Sequence, residues 1–119
     1  MECYLYMVLC DGESIYTGTA KDPLRRIGEH ISHDPKCAKY TRSRTVVSPL
    51  AVWRCESRSV ACKYEYAVKP LQRADKVRLA EAPDALGVLF CKDVSEATPV
   101  PCPVPSKEEC LARLNPKKN

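Results

Sequence analysis

The amino-acid sequence predicts an α/β domain: a three-stranded, mainly antiparallel sheet flanked by helices, followed by a Pro-rich C-terminal extension. Residues 3–10 (CYLYMVLC) are apolar throughout and rich in strand-forming side chains, as is typical of a buried strand. Later stretches repeat apolar residues at helical spacing. Residues 98–105 (TPVPCPVP) carry four alternating prolines, which exclude helix and central strand and favour extended chain.

The first two expected strands form a hairpin. Asp11-Gly12 is a turn signal, so residues 14–19 (SIYTGT) are expected to return beside the first strand. Gly18 indicates a bulge there, or a place where another group approaches the backbone closely. Residues 46–55 (VVSPLAVWRC) are the third expected strand, in which Pro49 indicates an edge position or an irregular start.

Three helices are expected around this sheet. Asp22 can cap the first, which runs to about residue 33, because its side chain can accept a hydrogen bond from the first turn. Ser57 can cap the second in the same way, and this helix runs to about residue 68. Pro70 ends it, and a third helix follows over about 72–82.

The length of 119 residues suits one domain, for which we expect residues 1–82, with 83–119 as the extension. Within the extension, the apolar residues 85–91 are expected to pack on the domain. Ser106 and Glu109 form a capping-box pattern that predicts a short helix.

The charge pattern favours a polyanionic partner. The net charge is +4, and residues 1–80 hold 14 Lys and Arg against 9 Asp and Glu. No stretch approaches the ~18 apolar residues of a membrane span. Residues 1–20 lack a secretory pattern, so we expect an intracellular protein (cytoplasm or nucleus), not secreted and without a membrane partner. The eight cysteines include no C-x-x-C pair, which predicts neither a disulfide framework nor a structural zinc site.

Five polar side chains combine into a candidate reaction site: Tyr6, Tyr16, Arg26, His30 and Glu65. The two tyrosines can face the same side of the hairpin, and the other three lie on helices that must pack on the sheet. A carboxylate can bind a hard cation, an arginine can stabilise charge on a phosphate, and a phenol or imidazole can accept a proton from water. The alternatives are half-buried sheet tyrosines and a structural Arg26–Glu65 ion pair.

A basic segment lies between the first helix and the third strand. Residues 36–44 hold four cations around one aromatic side chain, and the interior of the segment has no acidic residue. This composition suits phosphate contacts, although a solvated surface is the alternative. The candidate substrate-binding residues here are Lys39, Tyr40, Arg42 and Arg44.

Several short motifs follow one another in a fixed order over about residues 3–80. They are Tyr4-Leu5-Tyr6, Tyr16-Thr17-Gly18, Arg25-Arg26 with His30, Ala38-Lys39-Tyr40-Thr41-Arg42, and Ser57-Arg58-Ser59 leading to Glu65. In this order and spacing the chain resembles the GIY-YIG nuclease family, most closely its small stand-alone members. The resemblance implies a DNA endonuclease that uses one divalent ion, Mg²⁺ or Mn²⁺.

The resemblance also implies a role for each matching residue. Tyr6 matches the candidate general base, and Tyr16 a residue that orients water or phosphate. Arg26 matches the family arginine. His30 matches a position that supports the base or the phosphate. Glu65 matches the single metal-binding carboxylate.

Two further expectations come from the same comparison of motifs. Gly18 matches a glycine that lets the backbone pass close to the substrate. Tyr4 and Tyr66 are assigned to structure rather than to the site.

The expected reaction is hydrolysis of a DNA phosphodiester, guided by DNA structure rather than by sequence. Two alternatives stay open at this point: a nucleic-acid-binding module without efficient catalysis, and a subunit that needs a protein partner. A zinc site formed by His30, His33 and Cys37 is a weaker alternative, because the spacing supplies no fourth ligand.

Overall fold

The computed structural model describes residues 2–32, 45–86 and 98–114. Four strands and four helices lie in these ranges, with a short 3₁₀ turn between the first two strands. In chain order they are β1 (Cys3–Cys10), β2 (Ile15–Ala20), α1 (Pro23–Ile31), β3 (Val46–Cys55), α2 (Arg58–Val68), α3 (Arg73–Glu81), β4 (Val100–Cys102) and α4 (Lys107–Leu114).

The sheet has four strands in the order β2-β1-β3-β4, so the expectation of three strands was wrong. All neighbours are antiparallel. The additional strand, β4, comes from the Pro-rich stretch, where Pro101 lies opposite Trp53 of β3. Proline has no backbone N–H to donate, but an edge strand needs to pair on one side only, so the position at the sheet edge tolerates it.

The β1–β2 hairpin forms as expected, with β2 one residue later than predicted. Its turn places Gly12 at φ 70° and Glu13 at φ 63°, and the Cys10 N–H donates to the Ser14 carbonyl at 2.8 Å. On β3, Pro49 lies beside a shift in the pairing register with β1. The prediction of an irregular entry at this proline is confirmed.

Two predicted helix caps are present. The Asp22 carboxylate accepts a hydrogen bond from the Arg25 N–H at 3.2 Å, and the Ser57 hydroxyl accepts one from the Val60 N–H at 3.2 Å. The helix that Asp22 starts ends at Ile31, two residues earlier than expected. These caps fix the residues at which α1 and α2 begin, and both helices carry candidate site residues.

The sheet has an apolar layer on each face. Helices α2 and α3 cover one face, where Trp53 is fully buried and its indole N–H donates to the Pro83 carbonyl at 2.9 Å. Leu86 is buried in the same layer, as expected for the start of the 85–91 segment, and residues 87–91 lie outside the described ranges. The other face is covered by α1 and α4, with Ile27 and Cys110 in its core.

Helix α4 begins with the predicted capping box. The Ser106 hydroxyl accepts from the Glu109 N–H at 3.1 Å, and the Glu109 carboxylate accepts from the Ser106 N–H at 3.0 Å. The helix packs against α1, and an ion pair of 3.0 Å between Arg113 and Asp22 joins their ends. The described parts of residues 83–119 thus contribute a strand and a helix to the same fold, and a domain limit at residue 82 stays a prediction.

Gly28 is the point of closest approach between α1 and α4. A Cβ atom at this position would lie 2.4 Å from the Cys110 carbonyl oxygen, which is main chain and cannot rotate away. We therefore expect Gly28→Ala to destabilise the protein by about 1–3 kcal/mol, since α4 must move outward. Chemical denaturation measures this change. Helix propensity alone predicts the opposite sign, a gain of about 1 kcal/mol, so a stabilised variant would contradict this packing.

Among the described residues, no helix is both long and apolar enough to span a bilayer. The six cysteines in these ranges are free thiols, four of them buried. Burial raises the pKa of the Cys110 thiol to about 11 and that of Cys55 to about 12, so both stay protonated at neutral pH.

Candidate active site

The candidate site lies on the β2 side of the sheet, on the face covered by α1. The hairpin register pairs Tyr6 with Gly18 and Val8 with Tyr16, which places both tyrosines and the glycine on one face. A Cβ atom on Gly18 would lie 2.6 Å from the Tyr6 hydroxyl oxygen and 3.1 Å from the Tyr16 ring. The Tyr6 phenol therefore occupies the space that the missing side chain leaves.

Tyr6, Tyr16 and His30 form a compact group of rings. The Tyr6 hydroxyl and His30 Nε2 are hydrogen-bonded at 2.8 Å. The Tyr16 ring packs edge-on against the His30 ring, with 5.2 Å between centroids. Both Tyr6 and His30 are fully buried, so Tyr6 is more enclosed than the half-buried sheet tyrosine of the alternative interpretation.

Burial determines the charge state of this group. Burial, together with a smaller effect of the neighbouring Arg26 cation, lowers the pKa of His30 to about 4. Burial also raises the pKa of Tyr6 above its ordinary value; Tyr16 adds to this, and Arg26 opposes it. At neutral pH the hydrogen bond therefore joins a neutral phenol and a neutral imidazole.

Arg26 lies one turn before His30 on α1 and is held by a buried carboxylate. Its Nη1 donates to Glu29 Oε1 at 2.8 Å, and the other oxygen of Glu29 lies 3.6 Å from Arg25 Nε. Burial is the largest single influence and lowers the pKa of Arg26, but Glu29 together with Tyr6 and Tyr16 outweighs it, so the pKa is raised overall. Glu29 was not anticipated from the sequence, although its place three and four residues after two arginines is a helical ion-pair pattern.

The alternative of a structural Arg26–Glu65 ion pair is wrong, because Glu65 pairs with Lys69 and Arg26 pairs with Glu29. The Glu65 carboxylate lies 3.4 Å from the Lys69 ammonium, one turn later on α2. The same ammonium lies 5.8 Å from the centroid of the Tyr16 ring, a cation–π contact. Lys69 thus connects Glu65 to the ring group, and the sequence prediction did not include it.

The structure therefore brings together all five residues expected to react. Tyr6, Tyr16, His30 and Arg26 interact through rings and charges. Glu65 joins them through Lys69, and its charge also raises the pKa of Tyr6. The expected substrate-binding residues of the basic segment lie outside the described ranges, as do His33 and Cys37 of the zinc alternative.

Comparison with known proteins identifies the family. Residues 2–78 match the model of the GIY-YIG catalytic domain. The chain belongs to the GIY-YIG family. This confirms the resemblance seen in the motifs, and it places the chain in a family of nuclease domains.

Its relatives include small proteins named UPF0213. One from Fusobacterium nucleatum is 45% identical over 94 residues, which cover 79% of this chain and 88% of the relative. One from Cupriavidus necator is 45% identical over 73 residues, covering 61% and 77%. The solution NMR structure of a UPF0213 protein from Bacillus halodurans is 38% identical, covers 68% of this chain and 84% of its own, and gives a TM-score of 0.41.

GIY-YIG nucleases generally use a divalent metal ion, and the candidate site offers one carboxylate, that of Glu65, for such an ion. The described residues contain no group of three or more His, Cys, Asp or Glu side chains that could enclose a metal. Glu65 offers one carboxylate, and its side chain is 23% exposed. Mg²⁺ often takes one or two carboxylates and fills its other positions with water and substrate phosphate. The partly exposed Glu65 carboxylate is a donor that an ion of this kind can use.

Protonation of His30 in this site should destabilise the protein. Its pKa is about 4 in the folded state and about 6.5 when unfolded, so the unfolded chain binds the extra proton between these values. Above pH 6.5 His30 is neutral in both states and the free energy of unfolding is at its highest with respect to this residue. We expect the free energy of unfolding to fall by up to about 3 kcal/mol as the pH drops to 4.

Urea denaturation at pH 7, 6, 5 and 4 measures this loss in the wild type and in His30→Gln. The carboxylates contribute equally to both proteins, so the difference between the two pH curves isolates the imidazole. Parallel curves would show that His30 is not a buried neutral group.

Proposed function

We propose that this protein is a metal-dependent endonuclease that hydrolyses DNA phosphodiester bonds inside the cell, in the cytoplasm or nucleus. The observation that carries the proposal is that Tyr6, Tyr16, His30, Arg26 and Glu65 come together at the β2 edge of the sheet. This set contains a cation ligand, a charge-stabilising guanidinium and a hydrogen-bonded pair that can move a proton. Hydrolysis of a phosphate ester needs these three capacities together.

Glu65 is the proposed ligand of one Mg²⁺ or Mn²⁺ ion. A bound ion would supply Lewis acidity toward the phosphate and would make a water easier to deprotonate. Glu65 is suited to this role because its carboxylate is partly exposed. Its ion pair with the exposed Lys69 is weak, so a metal ion can replace the lysine as its partner.

Tyr6 is the proposed general base, with His30 as the group that receives its proton. Because burial disfavours the phenolate, Tyr6 is not expected to lose its proton before the reaction. Instead, the Tyr6 oxygen takes a proton from the attacking water while its own proton moves to His30 Nε2, 2.8 Å away. The water oxygen bonds to phosphorus as the bond to the leaving oxygen breaks. The leaving oxygen keeps the bonding electron pair and takes a proton from a solvent water.

Arg26 is the proposed stabiliser of the charge that builds up on the phosphate oxygens. Its link to Glu29 holds the guanidinium, a charge-assisted hydrogen-bond donor, beside the Tyr6 and His30 rings. Tyr16, packed on His30, is proposed to help orient the water or the phosphate.

The proposed contacts to the DNA backbone are Lys39, Tyr40, Arg42 and Arg44. Four positive charges in one segment suit a polyanion, and such contacts carry no sequence information. They support recognition of DNA structure rather than of DNA sequence.

The direct test incubates the protein with supercoiled, linear, single-stranded and branched DNA, in Mg²⁺, in Mn²⁺ and in EDTA. We expect cleavage of at least one form in either metal and none in EDTA. DNA binding without cleavage of any form would refute the endonuclease and favour a binding module. Cleavage that appears only when cell extract is added would indicate a required protein partner.

A further inference from the structure

Tyr66 is an exposed aromatic side chain directly after Glu65. The sequence interpretation assigned it to structure, but its side chain is 84% exposed, so that assignment was wrong. Tyr64 and Val68, on either side of it in the chain, are both fully buried against the sheet. Tyr66 therefore projects from the outer side of α2 and contributes little to the core.

Tyr66 forms an open hollow of about 480 Å³ with two neighbours, Lys69 and Pro70. The walls are an aromatic ring, the ring of a proline and the aliphatic stem of a lysine, whose ammonium is a positive charge. Flat apolar walls beside a cation match the two parts of a nucleotide, a planar base and a phosphate.

Lys69 connects this hollow with the candidate active site. Its ammonium lies 3.4 Å from Glu65 Oε2 and 5.8 Å from the Tyr16 ring centroid, while its stem lines the hollow. A nucleotide held against Tyr66 would therefore lie next to a phosphate at Glu65.

We propose that Tyr66, Lys69 and Pro70 form a stacking platform for an unpaired nucleobase next to the phosphate that is cleaved. The proposal rests on the endonuclease function and names its substrate class. In an intact duplex both faces of a base are covered by its neighbours, so only an unpaired or displaced base can stack on a protein ring. Stacking tolerates any base, because every base has a π-face. The substrate class is DNA with an unpaired nucleotide at the cut, such as a flap, a gap or a branch point.

The test compares Tyr66→Ala and Tyr66→Trp with the wild type. The probe is a DNA duplex with a single-stranded flap, in which the first unpaired base is 2-aminopurine, and the control DNA is the matching perfect duplex. We expect Tyr66→Ala to bind the flap about tenfold more weakly, through loss of one stacked base, and to bind the duplex as the wild type does. Tyr66→Trp should retain flap binding and the change in 2-aminopurine fluorescence.

The matched control is Val47→Ala, which removes another exposed apolar side chain, from β3. Its flap binding should equal that of the wild type. Because Tyr66 is exposed, the melting temperature of Tyr66→Ala should be unchanged, which excludes a folding defect as the cause.

Three results would overturn the platform. The first is equal flap binding by Tyr66→Ala and the wild type. The second is an equal loss on flap and duplex, which would make Tyr66 a general surface contact. The third is a change in oligomeric state on size exclusion, which would make the hollow a protein contact. Each can occur while the wild type cleaves DNA in Mg²⁺, so failure of the platform is distinct from failure of the endonuclease function.

Discussion

Replacing Glu65 by Gln should lower the cleavage rate by at least about 10²–10³-fold, the range for losing one group that stabilises charge in a transition state. The substitution keeps the shape of the side chain and removes the charge that we propose binds the metal ion. DNA binding should survive, because every basic side chain is retained. The Glu65–Lys69 pair is half-exposed, and pairs of this kind contribute about 0–1 kcal/mol, so the fold should be retained.

A nicking assay beside a binding assay measures both properties. The matched control is Glu81→Gln, an exposed glutamate at the end of α3, which should cleave as the wild type does. Full activity of Glu65→Gln in Mg²⁺ would remove this residue from the mechanism. Loss of binding together with cleavage would indicate that Glu65 acts in folding or docking instead.

Adding one methyl group at Gly18 should reduce cleavage about a hundredfold, since misplacing a reacting group by about 1 Å can have this effect. The new Cβ atom would lie 2.6 Å from the Tyr6 hydroxyl oxygen and 2.8 Å from Cζ. Tyr6 is fully buried and its ring cannot swing into solvent, so the hydroxyl must leave its position beside His30 Nε2. The reaction rate should fall while the affinity for DNA changes little.

A double-mutant cycle with Tyr6→Phe tests this mechanism. If Gly18→Ala acts by displacing the phenol, then adding it to Tyr6→Phe should cause little further loss of rate. Thr19→Ala, the next position on the same strand, is the control and faces away from Tyr6. A loss of DNA affinity as large as the loss of rate would favour the direct substrate contact that the family motif implies for this glycine.

The sequence correctly predicted the elements that depend on nearby residues, such as apolar strands and helices with a capping residue. The spans of β1 and β3 were correct to the residue, and the Ser57 cap placed the start of α2 correctly. In the structure Val60, Tyr64 and Val68 form the buried stripe of α2. The exposure of Tyr66 could also have been predicted. It lies two residues from Tyr64, about 200° around a helix of 3.6 residues per turn, and so on the opposite side from the buried stripe.

The elements that were missed depend on partners far along the chain. Strand β4 forms because residues 100–102 pair with β3, almost fifty positions earlier. The alternating prolines predict extended chain but do not indicate which strand it pairs with. The roles of Glu29 and Lys69 depend on which of several nearby charges each side chain selects. Helical spacing permits these pairs but does not choose among the alternatives.

The contact between α1 and α4 affects the stage of synthesis at which the candidate site can assemble. Helix α1 carries Arg26 and His30, yet the helix that covers its apolar side lies more than seventy residues later. As a chain emerges from the ribosome, its earlier part can fold first. The α1 surface around Gly28 and Ile27 then stays open until residue 114 has been translated. A nascent chain should therefore form its hairpin early but position Arg26 and His30 late, so that a product that stops before α4 should lack the assembled candidate site.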